Sequence, residues 1–307
     1  MQSAQLLEQL LEQLHLGDPR SVARAISLVE DQAEIGQHIM QGLDQQRLDK
    51  VLTVGITGPP GAGKSTLTSS LVQQLRLRGT RVGVIAVDPS SPLTHGALLG
   101  DRIRMMEHAL DRDVVVRSMA TRGKLGGLCA AAGATMRIMA ASGCRVVLVE
   151  TVGIGQSEMD IASLADITVL VLAPGFGDEI QAMKAGILEV VDLLVINKAD
   201  MPGAGKLRFD LGREAAQSDR VLETVAADNQ GIEELLDRIL ALETEFRASE
   251  EFGQRRHRSL KQETLDWSIE LLREQLSRLI QEQSCVGKDP RTVAEQLMNK
   301  VLLCIRC

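Results

Sequence analysis

With 307 residues, 44% of them apolar, the chain can bury a sizeable core as one large α/β domain with helical additions or as two domains. Four Phe, one Trp and no Tyr leave little surface for stacking on bases, and a net charge of −7 argues against nucleic acid or an anionic membrane as the main partner. Met1 to Leu14 lacks the basic-then-apolar order of a signal peptide and no run of about 18 apolar residues occurs, so a cytoplasmic chain without a membrane span is expected.

Three segments follow from the hydrophobic pattern. Residues 1–48 read as helical: Leu6, Leu7, Leu10, Leu11 and Leu14 recur at helical spacing. Asp18-Pro19 then offers a cap and a first-turn proline to a second helix with Val22, Ile26 and Val29 on one face. This segment is expected to dock on the next one. Residues 49–245 alternate apolar strands with helices, the pattern of a doubly wound, mostly parallel sheet. Strands are expected at 51–56, 82–87, 114–117, 145–150, 167–172, 192–196 and 221–225, and runs such as Ile167 to Leu172 suit strands covered on both faces. Residues 246–307 turn helical again. Gln254-Arg255-Arg256-His257-Arg258 reads as a solvated linker. Leu265, Ile269, Leu272, Leu276 and Leu279 form one helical stripe, and Asp289-Pro290 caps a last helix carrying Val293, Leu297 and Val301. Cys129 and Cys144 read as small buried hydrophobes. Cys304 and Cys307 have metal or redox spacing, but no second pair or nearby His completes a zinc set.

The first expected strand runs into Gly58-Pro59-Pro60-Gly61-Ala62-Gly63-Lys64-Ser65-Thr66, a G-x-x-x-x-G-K-[ST] phosphate-binding loop, and Leu67, Leu71 and Leu75 then stripe a helix. Glycines allow successive backbone N–H groups to turn inward, and the helix start adds partial positive charge. Lys64 can reach the β- and γ-phosphates and the Ser65 hydroxyl can ligate Mg²⁺. Asn197-Lys198-Ala199-Asp200 closes a later strand. A carboxylate at Asp200 accepts from guanine N1–H and its exocyclic amine, where adenine presents no matching donors. Asn197 would brace the loop and the Lys198 stem would lie over the base. Glu150 ends the strand Leu148-Val149-Glu150, placed to hold Mg²⁺ or its water, and Gly153 lets a backbone N–H meet the γ-phosphate. Asp88 and Asp101 suit a metal-side role, as ligand, outer-sphere partner or water-positioning base. Either could instead cap a helix.

These motifs, together with V-D-P-S-S-P, L-G-D-R-I-R-M, G-K-L-G-G, the block Glu150 to Glu158 and G-D-E-I-Q-A-M-K, resemble the methylmalonyl-CoA mutase-associated GTPases, the MeaB/ArgK group. The likeness runs in one order over roughly residues 15 to 275. It implies a metallochaperone-type G protein of the signal-recognition-particle-like class, a Mg²⁺-dependent, homodimeric GTPase cycling between GTP and GDP. Its partner would be an adenosylcobalamin-dependent acyl-CoA mutase such as methylmalonyl-CoA mutase. The chain would gate delivery of intact cofactor and keep the mutase active, meeting adenosylcobalamin only through that partner. The resemblance also assigns Asp178, Gln181 and Lys184 to a switch that turns toward nucleotide when the mutase binds, Lys184 neutralising phosphate charge. It places Val225, Ala226 and Ala227 behind the guanine, Val225-Ala226 standing where Ser-Ala is usual. His95, Ala97, Arg102 and Ile103 also depart from the family's pattern.

Three other functions compete, and one of them, a non-enzymatic adaptor holding nucleotide only as a structural ligand, is disfavoured by the intact Lys64, Ser65 and Glu150. A nickel-enzyme maturation GTPase usually carries His- or Cys-rich segments near its N-terminus, and only His15 and His38 precede the loop here. A transport-linked ATPase or kinase is opposed by Asn197-Lys198-Ala199-Asp200, which disfavours adenine.

Overall fold

The computed structural model describes residues 2–31, 33–88, 110–120, 127–151, 157–175, 187–214, 218–281 and 289–305. Seven strands form one parallel sheet: β1 (Leu52–Thr57), β2 (Val82–Asp88), β3 (Val114–Ala120), β4 (Val146–Thr151), β5 (Ile167–Leu172), β6 (Leu193–Asn197) and β7 (Val221–Thr224). Their order is β3-β2-β4-β1-β5-β6-β7. All seven expected strands form, and the third continues past 117 to Ala120.

Alternation along each strand divides the core between the two faces. On one face Val54, Ile56, Val146, Leu148, Val169, Val171, Leu193 and Val195 pack against α5 (Lys64–Leu77) and α10 (Ile232–Arg247). The residues of opposite parity turn the other way. Val147 and Val149 meet α6 (Gly127–Ala141) and α7 (Ser157–Leu164), while Leu170, Leu172, Leu194 and Ile196 meet α8 (Ile187–Val190) and α9 (Ala204–Glu214). Both faces are covered, which is why the strands read as unbroken apolar runs.

The N-terminal helices are α1 (Gln2–His15), α2 (Pro19–Asp31), α3 (Ala33–Gln41) and α4 (Gln45–Lys50). Leu10, Leu14, Val22, Ile26, Val29 and Ile39 join the cluster around α6, so this segment shares its core with the sheet. Asp18 caps α2 by accepting from Ser21 N at 2.8 Å, and the Ser21 hydrogen bonds hold its carboxyl below the usual range.

Beyond the sheet lie α11 (Glu251–Gln281) and α12 (Pro290–Ile305). The expected linker at 254–258 is part of α11, and its two central arginines are anchored rather than solvated. Arg255 pairs with Asp192 at 2.8 Å and Arg256 with Asp166 at 3.1 Å, and the two acid side chains are only 8% and 5% exposed. Sequence-distant carboxylates at the starts of strands hold these cations, a partnership that charge patterning along the chain does not display. The expected stripe on α11 is largely open: Leu265 is 53% exposed and Ile269 50%. On α12, Val293 and Leu297 are buried, and Asp289 accepts from Thr292 N at 2.8 Å. No helix among the described residues is long and apolar enough to cross a membrane.

Candidate functional site

The carboxyl ends of β1, β4, β6 and β7 lie along one edge of the sheet, with Ile56 in register with Glu150 and Asn197 with Thr224. Ligands of open α/β sheets sit at this edge. The loop between β1 and α5 opens there. Gly63, at the start of α5, has φ 91°, and a Cβ on it would run into the Asn197 amide. Glycine is therefore required both by conformation and by the approach of the later loop.

Lys64 is buried, and its ammonium donates to Gly58 O at 2.8 Å and Pro59 O at 2.9 Å. The charge is thus held against the phosphate-binding loop. Ser65 Oγ donates to Glu150 Oε1 at 2.6 Å. A hydroxyl and a buried carboxylate converge at the helix start, a donor set of hard oxygens that fits Mg²⁺. Asp88 ends β2 at the same edge of the sheet. Its side chain lies outside the described residues, as do Asp101, Gly153, Asp178, Gln181, Lys184 and the departures His95, Ala97, Arg102 and Ile103.

Asn197 is buried and joins three loops. Its Nδ2 donates to Ala62 O at 2.9 Å, and its Oδ1 accepts from Thr224 Oγ1 and Ala226 N, each at 3.1 Å. Lys198 stands at φ 56°, and its ammonium donates to Gly61 O at 2.8 Å, so its stem crosses toward the phosphate-binding loop. Asp200 is exposed, two residues on, with its carboxylate available to a ligand's edge. After β7, Val225 and Gln230 pair through their backbones, and this closes a tight loop that presents Ala226 and Ala227. Ser70 of α5 secures that loop by donating to Ala226 O at 2.9 Å. Between α5 and the loop opens a groove of about 580 Å³ lined by Thr66, Ser69, Ser70, Gln73, Ala226 and Asn229, among others.

The structure thus gathers the phosphate-binding loop, Glu150, Asn197 to Asp200 and Val225 to Ala227 at one edge. Two residues that position it escaped the sequence reading: Thr224 and Ser70. Each acts through a single hydrogen bond to a residue remote in the chain, and neither belongs to a spaced motif.

The chain matches the family model described as Methylmalonyl Co-A mutase-associated GTPase MeaB over residues 22–284. A protein of Pyrococcus abyssi named as a GTPase is 40% identical over 316 residues, covering 97% of each chain. The mouse protein named Methylmalonic aciduria type A homolog, mitochondrial, is 34% identical over 274 residues, 81% of this chain and 66% of that one. Among solved structures, one described as LAO/AO transport system kinase superposes with a TM-score of 0.69 at 27% identity, covering 96% of this chain and 97% of that one. With a family model spanning most of its length and a phosphate-binding loop backed by a guanine-type Asn-Lys-x-Asp turn, the chain belongs to the methylmalonyl-CoA mutase-associated GTPases, the MeaB family, and hydrolyses GTP.

Proposed function

We propose that this GTPase is a chaperone for an adenosylcobalamin-dependent acyl-CoA mutase, gating cofactor loading and protecting or reactivating the mutase. The observation that carries the reading is the family match over residues 22–284, whose description names a mutase-associated GTPase. The mouse relative, named for methylmalonic aciduria, points to the same metabolism. The alternative of a transport-linked kinase, suggested by the name of the solved structure, is disfavoured by the Asn197–Asp200 turn.

Within the site the roles follow from chemistry. The loop N–H groups of residues 61–66 and the Lys64 ammonium take the phosphates, Lys64 exchanging its two loop carbonyls for phosphate oxygens. Mg²⁺ would supply charge neutralisation at the phosphates, and Ser65, Glu150 and Asp88 would be the residues to hold it, with Asp101 a further candidate from the sequence. Asn197 keeps the base loop at a fixed distance from the phosphate loop, Asp200 reads the guanine edge, and Val225 to Ala227 back it. Gly153 meets the γ-phosphate, and Asp178, Gln181 and Lys184 complete the site when the mutase is bound.

The test is GTP turnover with and without an adenosylcobalamin-dependent mutase. Hydrolysis should be slow alone and strongly stimulated by the mutase, since a positive charge supplied late in phosphoryl transfer is worth about 10³–10⁵ in rate. Lys184→Ala should keep basal turnover within about twofold and lose most of the stimulation. Absence of stimulation of the wild type by any such mutase would defeat the partner assignment. Loss of basal activity in Lys184→Ala would defeat the switch role.

A further inference from the structure

The loop after β7 is gripped on both sides of one peptide-chain residue, Ala226, which is 4% exposed. Its N–H donates to Asn197 Oδ1 at 3.1 Å, from the turn that follows β6. Its carbonyl accepts from Ser70 Oγ at 2.9 Å, from α5. Asn229 N reaches the same carbonyl at the longer distance of 3.3 Å, but from within the loop. The Ser70 bond therefore ties the loop to a separate element. The loop needs such a tie. Val225 pairs with Gln230 across it, and Asn229 stands in the left-handed region at φ 57°. Backbone held in such a region costs free energy and persists where its surroundings fix it.

Ser70 spends its hydroxyl on this bond rather than on its own helix. A helical Ser or Thr can return its hydroxyl to the carbonyl four residues back, as Thr68 does by donating to Lys64 O at 2.9 Å. Ser70, 7% exposed, reaches out of α5 to a carbonyl 156 positions on. α5 begins at the phosphate-binding loop, and Ser70 stands about 7.5 Å along its axis from Ser65. Asn197 closes the frame by donating from Nδ2 to Ala62 O at 2.9 Å. Ala62, Asn197, Ala226 and Ser70 thus join the phosphate end, the base turn and the loop after β7 through one helix. A nucleotide that spans them meets a distance set by that frame.

We propose that Ser70 is a positioning residue for base recognition. Its bond to Ala226 O holds the loop after β7 at the distance from the phosphate-binding loop that a guanine nucleotide requires, and so supports the preference for guanine over adenine. The inference rests on the reading of Asp200 and Val225 to Ala227 as the guanine site, and is independent of which partner the protein serves.

The experiment measures GDP and ADP affinities, each with Mg²⁺, by calorimetry and competition for wild type, Ser70→Ala and Ser70→Thr. The two ligands share ribose and phosphates, so the ratio of their affinities reports on the base alone. Alanine is the best helix former, so Ser70→Ala keeps α5. In this variant GDP affinity should fall about 3- to 10-fold, as for one hydrogen bond lost at a buried carbonyl. The GDP-to-ADP ratio should fall with it, by about threefold or more. Ser70→Thr keeps the hydroxyl, and Ser70 borders the groove of about 580 Å³, which gives the added methyl room. Its ratio should stay within about twofold of wild type. Equal losses of GDP and ADP affinity in Ser70→Ala would leave the ratio unchanged and make Ser70 a general support of the fold, which overturns the proposal. A Ser70→Thr variant as impaired as Ser70→Ala would trace the effect to packing rather than to the hydroxyl, and overturns it too. A wild type that binds GDP no better than ADP would refute the guanine site itself, a result that no behaviour of the Ser70 variants can imitate.

Discussion

Lys64 and Asp200 act at opposite ends of the nucleotide and fail in different ways. Lys64 is buried with its ammonium against the loop, so Lys64→Ala removes a charge from the phosphate site, and turnover should fall by at least about 10²-fold in a GTP hydrolysis assay. A variant that hydrolysed at the wild-type rate would place the chemistry elsewhere. Asp200→Asn exchanges an acceptor for a donor at the base edge while leaving the Asn197 brace intact. GTP should bind about 10- to 100-fold more weakly and xanthosine triphosphate should gain, measured by competition. Unchanged preference would remove base recognition from this residue. Both residues are legible in the sequence because each sits in a contiguous motif whose spacing is fixed by the ligand. Ser70 and Thr224 are not. They serve the same loops through partners 156 and 27 positions away, and a lone Ser on a helix carries no mark of such a bond.

At the scale of elements, the strands could be read because both faces of the sheet are buried, leaving runs with little polar interruption. The start of α11 could not be read correctly. Arg255 and Arg256 look like a solvated charge run until the sheet brings Asp192 and Asp166 to them. Arg256 also donates to Val51 O at 2.7 Å and lies 4.4 Å from the Phe252 ring centroid, while Asp166 accepts from Thr53 N and Oγ1. The arginine therefore joins α11 to the beginnings of β1 and β5. Arg256→Ala leaves a buried acid without its cation, and breaking such a pair costs about 3–5 kcal/mol. Arg256 is 29% exposed, so water reaches the gap and the loss should lie near about 3 kcal/mol. Urea unfolding should show a lower midpoint with an unchanged slope. Arg291→Ala, which breaks a pair whose side chains are 87% and 67% exposed, should leave the midpoint where it was. Equal effects from the two would mean that burial of Asp166 does not decide the matter.

For the whole molecule, the polarity of the sheet separates two kinds of surface. The nucleotide edge lies at the strand ends, where Ser65, Glu150 and Asn197 meet. The anchor of α11 lies at the strand starts, about 20 Å away for strands of six residues. From that anchor α11 runs for 31 residues, about 46 Å, with Leu265, Ile269 and Leu272 at helical spacing and 53%, 50% and 38% exposed. A row of large apolar side chains left in water is the kind of surface that a partner covers. A second copy of the same chain can cover it, since one helix stripe can face its own copy under two-fold symmetry, and homodimerisation is what the resemblance to the mutase-associated GTPases implies. Equilibrium sedimentation of the wild type should then give twice the chain mass of 33.3 kDa. Leu265→Glu combined with Ile269→Glu should give a single chain, because burying two charges against two more in the partner is not compensated. Basal GTP turnover should stay within about twofold, as neither residue belongs to the nucleotide edge. A wild type that sediments as a single chain at all concentrations, or a double variant that remains a dimer, would assign the stripe to another partner and move any dimer contact off α11.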